Sequence, residues 1–240
     1  MTRTHPPRIV VLGGGTGTFT ALSGLRKYPV SLTAIVSTSD NGGSTGVLRK
    51  ELGVPPFGDA RQCLIALAHG DTRLQELLAY RFTEGSLAGH SFGNLFLAAL
   101  TRVTGDPLSA IREAERILDV RGRVVPVSAV ASNLYAELED SSLIRGEHAI
   151  EEPTGTRTSI RRCFLRPSVA ANPDAITAIE QADLIVLGPG DLYTSIIPVL
   201  LVDGIAEALA RSRAPLIYVL NLVTKKGQTD GYTASNYCHA

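Results

Sequence analysis

The sequence predicts an α/β fold: a Rossmann-like, doubly wound, mostly parallel sheet with a helical insertion. Three observations predict it. Apolar runs of four to eight residues recur, and each ends in glycine or a helix-starting residue. The first run, turn and helix read as the start of a βαβ unit. The last third returns to the same grammar after a long helical stretch.

Taken in order, Arg8-Ile-Val-Val-Leu12 is the first strand and Gly13-Gly-Gly-Thr-Gly17 its turn. A helix follows to Lys27, with Leu22 and Leu25 spaced to face a sheet. Leu32-Thr-Ala-Ile-Val36 is the second strand, ending at Ser37-Thr-Ser-Asp-Asn-Gly-Gly43. The insertion covers about 59–118. Within it Leu64, Leu67 and Ala68 share one face, Leu74, Leu77 and Leu78 mark the next helix, and Asn94–Thr101 reads as a buried helix. Pro107 stands at a favoured first-turn position. Arg123–Val130, Leu134–Leu138 and Ser159–Leu165 read as strands, and this middle section is expected at a sheet edge. Asp183–Leu187 is a strand, Pro198–Arg211 a helix and Leu216–Leu222 a final strand. The whole of 1–240 is read as one Rossmann-like domain.

Composition narrows the function. The 240 residues hold 23 Lys and Arg against 23 Asp and Glu, so the formal charge is zero. That argues against a broad basic face, and no basic–aromatic interleaving is visible, so no nucleic-acid partner is expected. No apolar run approaches the ~20 residues of a membrane span. Met1–Pro7 carries no leader-type apolar core. Cys63, Cys163 and Cys238 are odd in number and far apart, which suits a reduced cytoplasmic chain.

Open α/β sheets bind ligands beyond the carboxyl ends of their strands. Four polar, glycine-rich segments stand there: Gly13–Thr18, Ser37–Gly46, Gly188–Ser195 and Asn221–Ser235. In Gly13–Thr18 the missing side chains let backbone N–H groups approach a phosphate at a helix N-terminus. A bare strand-to-helix turn is the competing reading, and the strand before and helix after favour the phosphate. The run is neither an intact dinucleotide fingerprint, because Thr18 takes the third glycine position, nor a Walker loop. Asp40 fits a ribose contact, a hydrated Mg²⁺ or a plain turn acid, and spacing leaves these open. Asp59, Ser91 and Asn94 fit helix caps. His90 reads as structural before catalytic. Gly188-Pro-Gly-Asp-Leu-Tyr-Thr-Ser195 offers amides and hydroxyls for a second phosphate, with Tyr193 available to stack on a base or sugar.

Six blocks carry a resemblance. They are Val10–Gly17, Leu32–Gly46, Pro55-Pro-Phe-Gly-Asp-Ala-Arg61, His90-Ser-Phe-Gly-Asn94, Gly188–Pro198 and Thr229–Ser235. In this order the chain resembles the YvcK/CofD-like family, and it is most similar to the YvcK branch. The resemblance implies a cytoplasmic regulatory protein that binds a UDP-sugar such as UDP-N-acetylglucosamine and is needed for cell shape and wall synthesis during gluconeogenic growth. It associates that branch with binding rather than catalysis. The sister branch implies the alternative, a Mg²⁺-dependent transferase acting on a nucleotide-diphosphate donor, like 2-phospho-L-lactate transferase.

The family's pocket, carried over, falls on Gly14, Gly15, Thr16, Gly17, Asp40, Gly42, Gly43, Ser44, Asn94, Gly190, Leu192, Tyr193, Thr194 and Ser195. Asp40 is the candidate metal ligand, with Mg²⁺ arriving alongside the nucleotide diphosphate. A homodimer is compatible with the resemblance. Two departures stand out. Asn41 replaces the second acid of a common pair. Asp191 stands where Ser is common, so its carboxylate must turn away from a phosphate or meet a cation. The family pattern continues past Ala240, so a further C-terminal part is expected to complete the sheet and pocket.

Overall fold

The computed structural model describes residues 5–153, 155 and 157–240. The first four residues of the leader reading lie outside that set.

Five parallel strands form the main sheet: β1 (Arg8–Gly13), β2 (Ser31–Val36), β3 (Arg123–Pro126), β7 (Leu184–Leu187) and β8 (Leu216–Tyr218), in the order β3-β2-β1-β7-β8. Ile9, Val10, Val11 and Leu12 pair with β2 on one side and β7 on the other. Both faces of these strands are covered, which is why they read as continuous apolar runs rather than alternating ones.

One face buries Val11, Leu32, Ala34, Val124 and Val186 against Leu22 of α1 (Gly15–Leu25) and the helices α3 (Gly58–Leu67), α5 (Phe92–Thr104) and α6 (Pro107–Ile117). Between these lie α2 (Gly43–Leu52) and α4 (Thr72–Ala79). The predicted helical insertion is thus the β2-to-β3 crossover, and it forms a face of the core. Asp106 caps α6 by accepting from the Ser109 N–H at 2.7 Å, with Pro107 next. In α5 only one side is buried, through Leu97 and Ala98, while Ala99 is exposed.

The other face buries Val10, Leu12, Ile35, Val125, Ile185 and Leu187 against α8 (Pro173–Glu180) and the helices α9 (Ile197–Leu200) and α10 (Ile205–Arg211). The chain leaving β1 therefore turns to one face and the chain leaving β7 to the other. The gap between β1 and β7 is the point where strand order reverses.

Several expected elements differ. The Arg123–Val130 strand stops at Pro126, opposite the last residue of β2, because Ser128 turns the chain by bonding the Ala170 carbonyl at 2.8 Å. The Pro198–Arg211 helix is broken at Gly204, which takes φ +99. The Leu216–Leu222 strand keeps only three residues, since its pairing partner β7 ends at Leu187. Of the middle section, β3 does take the main sheet's edge, beside β2. The rest does not join that sheet and forms a separate antiparallel sheet, β5-β4-β6, from β4 (Asn133–Leu138), β5 (Leu143–Arg145) and β6 (Ile160–Arg166). Its inner side, Leu134, Ala136 and Leu138, packs with Leu192, Tyr193 and Tyr237. The short helix α7 (Glu147–Glu151) leaves β5 and reaches back toward the main sheet.

Candidate functional site: the crevice between β1 and β7

Two glycine-rich turns meet at the strand-order reversal. A Cβ on Gly17 would lie 2.1 Å from the Pro189 carbonyl oxygen and 3.2 Å from the Gly190 nitrogen. Only glycine lets the two backbones approach this closely. Ser195 faces Gly15 across the crevice, with its Oγ 4.0 Å from where a Gly15 Cβ would sit. Gly14 caps α1 with extended backbone, and Thr16 and Gly17 make its first turn. A helix start with small residues and no acid in its first turn is a favourable setting for an anion.

The acid beneath this turn is Asp59. The Gly15 N–H donates to Asp59 Oδ1 at 2.7 Å. Asp59 does not cap α3, whose capping position is Phe57. A Cβ on Gly14 would meet Asp59 Oδ2 at 2.4 Å, so the loop lies directly on the carboxyl group. Burial and then the neighbouring Asp40 charge push the Asp59 carboxyl up to about 7. Asp40 accepts the Gly42 N–H at 2.8 Å, and burial raises its pKa against the opposing bonds from Gly42 and Thr45. Glu147 of α7 accepts from Ser39 Oγ at 3.2 Å. Burial, Asp59 and Asp40 together hold it well above the usual carboxylate range. Three half-buried carboxyl groups from three segments thus share one locality, and they do not all ionise at neutral pH.

The second expected loop is arranged differently from a ligand-facing row. Gly42 caps α2 and Gly43 takes φ +42. Ser44 is buried, its Oγ 3.1 Å from His90 Nδ1. Asn94 is 3% exposed. Its Nδ2 donates to Thr45 Oγ1 at 3.2 Å and to Ser44 Oγ at 3.4 Å, and its Oδ1 accepts from Arg61 Nε at 3.1 Å. Ser44 and Asn94 therefore clamp α2 to α5 from inside. Ser91 caps α5 by accepting the Asn94 N–H at 3.3 Å.

Beyond β7, Asp191 begins a single π-type turn, Leu192–Ile196, and its carbonyl accepts from Ser195 N at 2.8 Å and Ile196 N at 3.2 Å. Gly190 and Ser195 stand at the crevice. Leu192 and Tyr193 face the other way, lining a cleft of about 810 Å³ with Tyr218, Tyr232 and Tyr237. The Tyr193 hydroxyl is 2.8 Å from that of Tyr232. Thr194 is buried, and its Oγ1 has no hydrogen-bond partner.

The Asp191 carboxylate meets a cation, Lys225. The Lys225 Nζ lies 3.0 Å from Asp191 Oδ2 and 3.6 Å from Glu151 Oε1. Burial pulls the Lys225 pKa down, and the Asp191 bond with the Asp191 and Glu151 charges outweighs it, leaving it raised. Asn221 Nδ2 adds a bond to the Gly190 carbonyl at 3.1 Å.

Among the described residues no group of three or more His, Cys, Asp or Glu side chains is arranged to hold a metal ion, Asp40 included. None of the described helices is long and apolar enough to cross a membrane. Sequence reasoning missed Glu147, Glu151 and Lys225 as neighbours of the crevice. No motif marks Glu147, because the short sheet that carries it there is a tertiary feature. Asp59 lies in the Pro55–Arg61 block, where its sequence position suggests a helix cap and gives no sign of its bond to Gly15.

Residues 9–240 match the family described as 2-phospho-L-lactate transferase CofD. A relative from Nostoc sp. that bears the gluconeogenesis factor name is 49% identical over 98% of this chain, which spans about half (51%) of that relative. The gluconeogenesis factor of Halalkalibacterium halodurans is 47% identical, covering 97% of this chain and 72% of its own length. That of Bacillus subtilis is 45% identical, over 98% and 74%. A crystal structure of a Bacillus halodurans protein superposes with a TM-score of 0.94 at 46% identity, covering 98% of this chain and 75% of that one. By its ordered glycine turns, its sheet and these matches, the chain belongs to the CofD family, among its YvcK-like gluconeogenesis factors.

Proposed function

We propose that the crevice binds a nucleotide diphosphate, with a UDP-sugar such as UDP-N-acetylglucosamine as the preferred ligand, and that the chain acts as a cytoplasmic gluconeogenesis factor regulating cell shape and wall synthesis. The observation that carries the binding reading is the contact of Gly17 with Pro189 and Gly190. It joins two loops, each fit for a phosphate, at the strand-order reversal. Gly14, Gly15, Thr16 and Gly17 face one phosphate, and Gly190 and Ser195 the other. The Asp59 proton near neutrality favours the same reading, since it reduces the negative charge beneath the first loop. Lys225 supplies positive charge at the rim. The relatives' printed name supports the gluconeogenesis part of this reading; regulation of cell shape and wall synthesis is carried over from the resemblance.

The second reading is a transferase using a nucleotide-diphosphate donor, favoured by the description of the matched family. In the transferase reading Asp40, which also accepts from Gly42 and Thr45, would be the ligand for a Mg²⁺ that enters with the diphosphate. Thermal shift with UDP-N-acetylglucosamine, GDP, GTP and NAD, each with and without Mg²⁺, separates the two. The UDP-sugar alone should stabilise the fold. A guanosine-selective shift that requires Mg²⁺ would replace the first reading with the second.

A further inference from the structure

The small sheet presents an outer face that its inner, core-forming side does not foretell. Tyr135 of β4 stands opposite Arg145 on one flank and Phe164 on the other, Asn133 opposite Arg166, and Glu137 opposite Arg162. The Tyr135 and Phe164 rings are 5.5 Å apart and nearly parallel, at 7°. Guanidinium groups cover them. Arg166 lies 4.9 Å from the Phe164 centroid and 5.7 Å from that of Tyr135. Arg162 lies 5.6 Å from Phe164, and Arg145 6.0 Å from Tyr135. Contrary to the expectation from sequence, basic–aromatic interleaving is present: Arg162, Phe164 and Arg166 alternate along β6, and strand pairing adds Tyr135 and Arg145.

The charges on this face are unbalanced. Glu137 is committed to Arg162 at 2.6 Å and Arg161 at 3.5 Å. Arg145 and Arg166 are exposed, and neither meets a carboxylate among the described residues. Arg145 and Asn133 also line a cleft of about 530 Å³ whose other walls are Asn41, Gly46, Arg49 and Lys50. This cleft has three cationic walls and no acidic one. Within it the Arg49 Nη1 is enclosed and lacks a hydrogen-bond partner. On a chain of zero net charge, six cations, Arg49, Lys50, Arg145, Arg161, Arg162 and Arg166, run from the cleft across the sheet; Glu137 answers Arg161 and Arg162, and Asp40 faces Arg49.

We propose that this face docks an acidic, extended polypeptide segment, its carboxylates bridging Arg166, Arg145 and the Arg49–Lys50 cleft. Cations spread along strands that rise ~3.3 Å per residue suit a polyvalent partner better than one small anion. Guanidinium groups held flat on aromatic rings are pre-organised, and their outward N–H forks match carboxylates. Single-stranded nucleic acid is the poorer fit, because bases need bare aromatic faces and these are already covered. The sheet part of this surface uses no crevice residue, whereas its cleft end adjoins the Ser37–Gly46 loop, where Arg49 faces Asp40; the proposal does not rest on what the crevice binds.

The test uses the full chain and a fluorescent poly-glutamate peptide of about 12 residues, long enough to cross the three strands. Anisotropy should report saturable binding that weakens between about 50 and 300 mM salt. Arg145→Ser with Arg166→Ser should weaken it roughly tenfold or more, with only a small fall in melting temperature, since neither side chain is ion-paired and only their ring contacts are lost. Arg213→Ser, on another surface, should leave it intact. Equal binding by the double variant, or no binding at low salt, overturns the proposal. So does tighter binding of a single-stranded oligonucleotide of the same length. Self-association that disappears in the double variant without peptide binding would reassign the face to a second copy of this chain.

Discussion

The Gly15 amide donates to the Asp59 carboxyl at 2.7 Å, so the first turn after β1 rests on an internal acid held near neutrality by burial. The Asp59 pKa of about 7 lies above its ordinary 3.8, so the native state keeps a proton that the unfolded chain has released. The resulting stabilisation is complete below pH ~4 and lost as pH rises through about 7, at up to roughly 1.4 kcal/mol per pH unit. Asp59→Asn keeps an acceptor for Gly15 and removes this dependence. Denaturant melts should show the variant gaining on the native protein between pH 5 and 7 and holding a constant lead above that range. A pH-independent difference would place the Asp59 proton elsewhere.

Gly17→Ala puts a methyl group 2.1 Å from the Pro189 carbonyl oxygen, and neither backbone has room to give. A loss of about 2–4 kcal/mol is expected. Gly24→Ala, in the same helix with nothing within 4 Å of its Cβ position, should gain up to about 1 kcal/mol. Urea titration of both variants separates close packing at the crevice from general helix preference.

Lys225→Met removes the partner of Asp191 and Glu151. The Lys225 side chain is 39% exposed, so stability should change by less than about 1 kcal/mol. Nucleotide-diphosphate affinity should fall, because Asp191 is left facing the crevice loop with its charge uncompensated. Adding Asp191→Ser should recover part of the loss. Calorimetric titration of the single and double variants checks it, and no recovery would mean that Lys225 contacts the ligand without reference to Asp191.

Asn94→Ala strands Ser44, Thr45 and Arg61, which its amide now joins inside the protein. A cost of about 1–3 kcal/mol is expected. If Asn94 acts only by clamping α2 to α5, ligand affinity measured at a temperature where the variant is fully folded should fall little.

The sequence by itself determined the parallel sheet and its glycine turns. Runs such as Ile9–Leu12 and Ile185–Leu187 are apolar throughout because both faces are covered, and that is a local property of composition. The placing of Gly13–Thr18 and Gly188–Ser195 at strand ends is legible too, but that these two meet follows from β1 lying beside β7. What only the tertiary structure decided was direction and partnership. A π-type turn aims Leu192 and Tyr193 away from the crevice, although they share a motif with Ser195. Asp191 and Lys225 are 34 positions apart and become a pair only once β8 lies beside β7. Arg145, Tyr135 and Phe164 come from three strands whose register no local pattern states. Local propensity specifies which backbone states a segment prefers; ion pairs and ring stacks form between side chains brought together by long-range pairing, and that information is carried by the packed chain as a whole.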